Sequence, residues 1–346
     1  MDTPPSSSNP MLREGMTRRL LRRAVVKGEI VLPAVPGMLD EYVTMCDETF
    51  RAVGVRFSAD DLQAMGDILG AQLAKAYAAS QRSDVVITYE SPVGLTASYQ
   101  IGTRWYSVAA AYDNWVATRE PPLFGTEPDA RVWDLAGEAP DPATFPILDI
   151  GAGTGRNSLA LARRGHPVDA VEMTGGFADI IRADAAKDSL DIRVIQRDVF
   201  ETLEDLRRDY QLIVLSEVVS DFRNTEQLRK LFELAAHCLA PGGRLLFNTF
   251  LVRAGHSLDN AARELGEQAY TSIFTYAELT VAAAQLQLEL VADDSVHDYE
   301  RSRLPADKWP PTSWYANWTR GLDVFEVPPE QCPIDMRWVV YRKPSG

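Results

Sequence analysis

The segment Pro146-Ile147-Leu148-Asp149-Ile150-Gly151-Ala152-Gly153-Thr154-Gly155-Arg156-Asn157 constrains this chain more than any other. A short apolar run ends in an acid, then passes through three glycines at every second position into residues with helical spacing. That order describes a strand, a tight turn and a helix N-terminus, the turn at which doubly wound α/β folds hold nucleosides. The glycine spacing excludes the dinucleotide fingerprint, whose third glycine would fall at position 156, where Arg156 stands. A nicotinamide-dependent oxidoreductase is therefore the weakest of the readings. Asp149, two residues before the first glycine, suits a ligand with hydroxyls and a cation better than a pyrophosphate.

The rest of the chain supplies the sheet that such a turn needs. Strand-like runs at 147–150, 168–172, 192–196, 212–216 and 244–250 alternate with helix-like stretches at 157–164, 177–186 and 225–240. Short connections between them predict right-handed crossovers and a parallel sheet. One more helix is expected at 276–286, and two further strands at 289–296 and 336–341. An insert at about 298–335, rich in Pro and Trp, separates those strands; loops of this length are often functional. Upstream, residues 1–35 read as a flexible tail and 36–120 as a helical accessory or lid region. Met38, Tyr42, Met45 and Phe50, then Leu62, Met65, Leu69, Leu73 and Tyr77, fall at roughly helical spacing, with Ser58 as an N-cap. Residues 85–89 look β-like, and the aromatic stretch 99–118 looks helical up to Pro121-Pro122. Residues 121–346 form the nucleoside-binding domain.

Charge and cysteine usage narrow the partners. The formal net charge of −14 over 346 residues disfavours nucleic acid, whose phosphates an acidic surface repels. Arg18, Arg19, Arg22, Arg23 and Lys27 form a basic cluster that reads as a solvated face before it reads as a contact for RNA or lipid. Cys46, Cys238 and Cys332 are far apart and make no C-x-x-C pair, which suits reduced thiols and a cytoplasmic location rather than disulfides or zinc. No long apolar run predicts a membrane span, and neither H-x-x-x-H nor H-x-E occurs to suggest a metal.

The segment 149–155, with the acids that follow it, resembles motif I and its partners in the class I S-adenosylmethionine (SAM)-dependent methyltransferases of small-molecule type. The resemblance implies a doubly wound, mostly parallel, seven-stranded Rossmann-like sheet with SAM bound at the strand ends. Asp149, Gly151, Ala152, Gly153, Gly155 and Asn157 would then surround the amino-acid end of SAM. Glu172, at the end of the second strand, is placed to take the ribose hydroxyls as charge-assisted hydrogen bonds. Met173 would pack on the adenine, with Asp198 and Val199 beside it. Glu217 falls where the family lines both the cofactor and the methyl-transfer site. Tyr112-Asp113-Asn114-Trp115 resembles a Y-D-x-W element that folds over the cofactor, which would put Tyr112 against the sulfonium.

The expected reaction is an in-line displacement that delivers a methyl group to N, O or S of a small molecule. Proximity dominates such a reaction, and a base is needed only if the nucleophile arrives protonated. Glu217 and Asp221 are the candidate bases, although Asp221 also reads as a loop acid or an N-cap. Trp105, Tyr106, Trp115, Trp314 and Trp318 are candidates to roof the acceptor pocket, with His297 nearby. Aromatics of this kind serve equally well as core. A peptide or protein acceptor, a regulatory protein that binds SAM without turnover, and a homodimer through the N-terminal helices all stay open.

Overall fold

The computed structural model describes residues 10–92, 97–120 and 122–345. The chain divides into two compact units between Tyr106 and Ser107. Residues 1–9, the first part of the expected tail, lie outside the described residues.

The first unit is mixed rather than helical. It contains α1 (Pro10–Leu21), β1 (Val25–Pro33), α2 (Leu39–Ala52), α3 (Ala59–Ala79), β2 (Arg82–Pro92) and β3 (Ser98–Tyr106). The strands form an antiparallel sheet in the order β1-β2-β3. Phe50 of α2, Met65, Leu69 and Leu73 of α3, and Val85 and Ile87 of β2 share its core with Leu32 of β1. Ser58 caps α3 as expected, in a reciprocal box with Asp61. Two expectations change. Residues 25–33, read as tail, are a strand whose Lys27 and Glu29 are exposed between less exposed neighbours. Residues 98–106, read as the start of a helix, alternate with period 2 as β3. The helix begins only after Ser107, which caps it.

The second unit carries the glycine turn. Its elements are α4 (Val108–Thr118), α5 (Ala130–Gly137), β4 (Ile147–Ile150), α6 (Arg156–Arg163), β5 (Val168–Val171), α7 (Gly175–Asp188), β6 (Ile192–Ile195), β7 (Tyr210–Leu215) and α8 (Thr225–Cys238). They continue with β8 (Leu239–Val252), α9 (Asn260–Gln268), β9 (Ile273–Phe274), α10 (Tyr276–Ala283), β10 (Glu289–Ser295), α11 (Val296–Arg303), α12 (Tyr315–Trp318) and β11 (Ile334–Arg342). The sheet runs β10-β11-β8-β7-β4-β5-β6, and the two-residue β9 adds an eighth strand beside β8. All pairings are parallel except the two made by β11. Strands β4 and β5 are buried at every position, as parallel strands covered on both faces must be.

Strand order reverses at β4, which has β5 on one side and β7 on the other. The carboxyl ends of β4 and β7 therefore flank the crevice where doubly wound sheets bind ligands. The glycines lie at that point. Pro241-Gly242-Gly243 lies within β8, where the pairing with β7 jumps from Tyr210↔Leu239 to Leu212↔Arg244. The insert supplies α11 and α12 between β10 and β11. No described helix is long and apolar enough to cross a membrane.

Candidate active site

The glycine turn is held from both sides. Gly151, Gly153 and Gly155 all have positive φ, at 67°, 54° and 86°. The Gly151 N–H donates to the Val171 carbonyl of β5 at 2.8 Å. Glu172, directly after β5, is nearly fully buried and spans the opening: Oε2 accepts from Gly153 N–H at 2.8 Å and Oε1 from Thr174 N–H at 2.7 Å. Asp149 is buried under the turn and accepts from the Ser158 hydroxyl at 2.6 Å. Burial pushes its carboxyl up to about 7, and burial also raises that of Glu172.

Beside the turn lies a charged network that the sequence did not announce. Arg156, the first residue of α6, grips Asp129 with two nitrogens, at 2.6 Å to Oδ1 and 3.1 Å to Oδ2. Its Nη2 also reaches Glu217 Oε1 at 3.1 Å. Asp129 further accepts from the Asn157 amide at 2.8 Å and the Ser216 hydroxyl at 2.7 Å. The Asn157 side chain is thus spent on Asp129, and only its backbone remains at the helix N-terminus. Glu217 sits in left-handed backbone at φ 61°, and its N–H donates to Asn248 Oδ1 at 2.7 Å. A non-glycine residue held there is a strained position of the kind that clusters at functional sites. Burial raises the Glu217 carboxyl to about 7, although Arg156 pulls it down.

Aromatic side chains close over the turn. Tyr112 of α4 packs edge-on to Trp115 at 5.5 Å, and Phe177 of α7 and Tyr270 stand 5.9 and 6.2 Å from it. Phe124 stacks on Trp115 at 6.1 Å and faces Gly153, where a Cβ would lie 3.5 Å from its ring. The Tyr112 hydroxyl donates to Asp221 Oδ2 at 2.8 Å, which ties α4 to the loop after β7. Tyr112→Phe removes that charge-assisted bond from a half-buried site. A loss of about 1–2 kcal/mol is expected in urea unfolding of the protein. No measurable change would mean that this bond does not anchor α4.

The remaining expected residues sit at the strand ends, in or beside the insert, and in the first unit. Asp198 is exposed and caps a turn through the Phe200 N–H at 2.9 Å, with Val199 half-buried beside it and Met173 largely exposed. Trp318 is core: its ring meets Phe250 at 5.4 Å, and its indole N–H donates to the Tyr270 carbonyl at 3.0 Å. Trp314 packs on Trp318 at 5.3 Å. His297 is buried in α11, with Trp309 edge-on at 5.3 Å and Asp298 Oδ1 at 2.9 Å from Nδ1. Trp318 ties the insert to β8, and Trp314 and His297 pack against side chains of the insert. Trp105 and Tyr106 belong to the first unit, exposed at the end of β3.

Comparison with known proteins follows the geometry. Residues 147–243 match the family described as methyltransferase domain. Over 103 residues the chain is 29% identical to the ubiquinone biosynthesis O-methyltransferase of Coxiella burnetii (strain RSA 493 / Nine Mile phase I), covering 30% of this chain and 42% of that protein. Over 168 residues it is 28% identical to the demethylmenaquinone methyltransferase of Clavibacter sepedonicus, covering 46% of this chain and 64% of that protein. The chain thus spans less than two thirds of either relative. A solved geranyl diphosphate C-methyltransferase from Streptomyces coelicolor A3(2) gives a TM-score of 0.47 at 16% identity, over 62% of this chain and 80% of that one. The matched methyltransferase-domain segment runs from β4 into β8 and contains the glycine turn at the switch point of this sheet.

Proposed function

We propose that this chain transfers a methyl group from SAM to a nucleophilic atom of a small-molecule acceptor by in-line displacement. The observation that carries this reading is Glu172, buried at the switch point with one oxygen on the Gly153 N–H of the turn and the other on the Thr174 N–H. SAM supplies an electrophilic methyl on a sulfonium. The residues present fit such a ligand. A carboxylate has about four lone-pair sites, so Glu172 keeps capacity for a ribose diol after taking two N–H groups. The α6 N-terminus offers the positive end of its dipole, and the rings of Tyr112 and Trp115 offer faces to a cation. Glu217 is the side chain best placed to take a proton, because its Oε1 is held by Arg156 and the residue keeps some solvent exposure. Asp221 is engaged by Tyr112 and serves as an anchor. The free thiols Cys46, Cys238 and Cys332 suit a reducing compartment such as the cytoplasm.

Calorimetric titration of the full chain with SAM and with NAD tests the cofactor. SAM binding is expected and NAD binding is not. Glu172→Ala deletes two charge-assisted contacts to the ribose, about 3 kcal/mol together, and is expected to weaken SAM binding about 100-fold. Affinity unchanged by that substitution would sink the assignment of Glu172, and absence of SAM binding would sink the reading itself.

A further inference from the structure

The buried layer around Arg156 is short of positive charge. Asp129 and Glu217 share that one guanidinium. Glu300 of α11 joins them from the insert. Its Oε2 accepts from Ala130 N–H at 2.7 Å, and its Oε1 from Arg131 N–H at 3.2 Å and from the Trp338 indole at 2.9 Å. The side chain of Arg131 is spent elsewhere, on Asp294 at 2.9 Å and the Tyr299 hydroxyl at 3.1 Å. Among the described residues, Asp129 and Glu217 share one guanidinium and Glu300 adjoins Asp129 without a cation of its own. Burial raises the Glu217 and Glu300 carboxyls to about 7, which relieves only part of the shortage, and a bound positive charge would complete it.

A second observation points the same way. Tyr315 of α12 is fully buried, and its hydroxyl has no hydrogen-bond partner among the described residues. Its charged neighbours are the members of this layer: Glu300, Asp129, Glu217 and Arg156. A buried, unspent hydroxyl asks for a partner that the protein does not provide. Glu217 has the most exposed side chain of the layer. The loop of Glu217 carries Asp221 and, through it, the aromatic group of Tyr112.

We propose that the methyl acceptor is a protonated amine, whose ammonium docks on Glu217 and completes the charge of the layer formed by Asp129, Arg156, Glu217 and Glu300. This rests on the methyltransferase reading above and names its substrate class. A neutral alcohol or thiol leaves the layer uncompensated, and a carboxylate adds to its excess. The ammonium gives one proton to the Glu217 carboxylate. The freed nitrogen lone pair then forms the N–C bond as the S–C bond of the methyl donor breaks. That electron pair stays on sulfur as a neutral thioether, and the product leaves as a methylammonium. A carboxyl near 7 is suited to the proton step, and Arg156, Asp129 and Tyr315 are the titratable or charged groups around it.

The test uses the full chain saturated with S-adenosylhomocysteine. Phenethylamine is expected to bind at least about tenfold more tightly than phenethyl alcohol near neutral pH. Transfer of labelled methyl from SAM is expected on the amine and not on the alcohol or the corresponding thiol. Glu217→Gln, which keeps the shape and removes the charge, is expected to bring the two affinities together. Tyr315→Phe removes only an unspent hydroxyl, so it folds, and is expected to cut the preference for the amine about fivefold. Equal affinities in the wild-type chain, label on the alcohol or thiol, no label on any acceptor, or a preference untouched by both substitutions would overturn the amine. Failure of S-adenosylhomocysteine to bind would overturn the methyltransferase reading instead.

Discussion

Asp129→Ala is expected to destabilise the second unit by about 3–5 kcal/mol, because it strands a buried guanidinium. Asp129 takes two bonds from Arg156, at 2.6 and 3.1 Å, and one each from Asn157 and Ser216. Without it, Arg156 keeps its contact with Glu217 and a longer one with the Glu127 carbonyl at 3.4 Å. For a unit of this size the loss corresponds to a fall in melting temperature of about 10 °C. The companion experiment removes both charges. Asp129→Leu with Arg156→Met replaces the pair by apolar side chains, and such replacements are often neutral or stabilising. The double variant is therefore expected to unfold at a higher urea concentration than Asp129→Ala. If the single substitution costs under about 1 kcal/mol, the pair is not what joins α6 to the segment before α5. Arg156→Met alone carries a pH signature. Arg156 lowers the Glu217 carboxyl, so its removal raises that carboxyl further above the ordinary range. A methyl-transfer rate that needs ionised Glu217 should then rise at higher pH than in the wild-type chain.

How much of this was legible in the sequence depends on how far apart the cooperating residues lie. The glycine turn, β4 and the acid Glu172 were readable because a strand, a tight turn and the next strand end are local events. The alternation of later strands and helices was readable for the same reason, and it gives the parallel sheet. The Asp129–Arg156–Glu217 network joins three segments far apart in the chain, and only the folded sheet brings them together. Arg156 served in the sequence only to exclude a dinucleotide fingerprint. Asp129 was not singled out in the sequence: it precedes α5 but its side chain caps nothing, and Glu300, from the distant insert, takes the N–H groups of Ala130 and Arg131. Aromatic spacing misled at 98–106 because Tyr99, Trp105 and Tyr106 fit neither period cleanly until the pairing of β2 with β3 decides between them. Trp314 and Trp318 were equally compatible with a pocket wall and with a core, and the folded chain packs Trp318 on Phe250 and Tyr270, Trp314 on Trp318, and His297 on Trp309.

Gly151→Ala is expected to remove SAM binding while leaving the fold largely in place. The residue has φ 67°, where an L side chain costs about 1–2 kcal/mol. A Cβ there would also collide with Val218 in the loop after β7, and overpacking of this kind adds about 1–3 kcal/mol. The two effects push in one direction. Relief requires either the turn or the segment 217–218 to shift, and both border the crevice between β4 and β7. The Gly153 N–H on Glu172 and the Glu217 N–H on Asn248 are the hydrogen bonds that such a shift disturbs first. Gly153→Ala makes the control: it shares the positive φ of 54°, but its Cβ would meet only the Phe124 ring at 3.5 Å, an ordinary contact. Calorimetric SAM titration should therefore rank wild type above Gly153→Ala and Gly153→Ala above Gly151→Ala, the last weakened by about 100-fold or more. Equal affinities for the two variants would show that left-handed backbone alone, and not the approach of Val218, requires glycine in this turn.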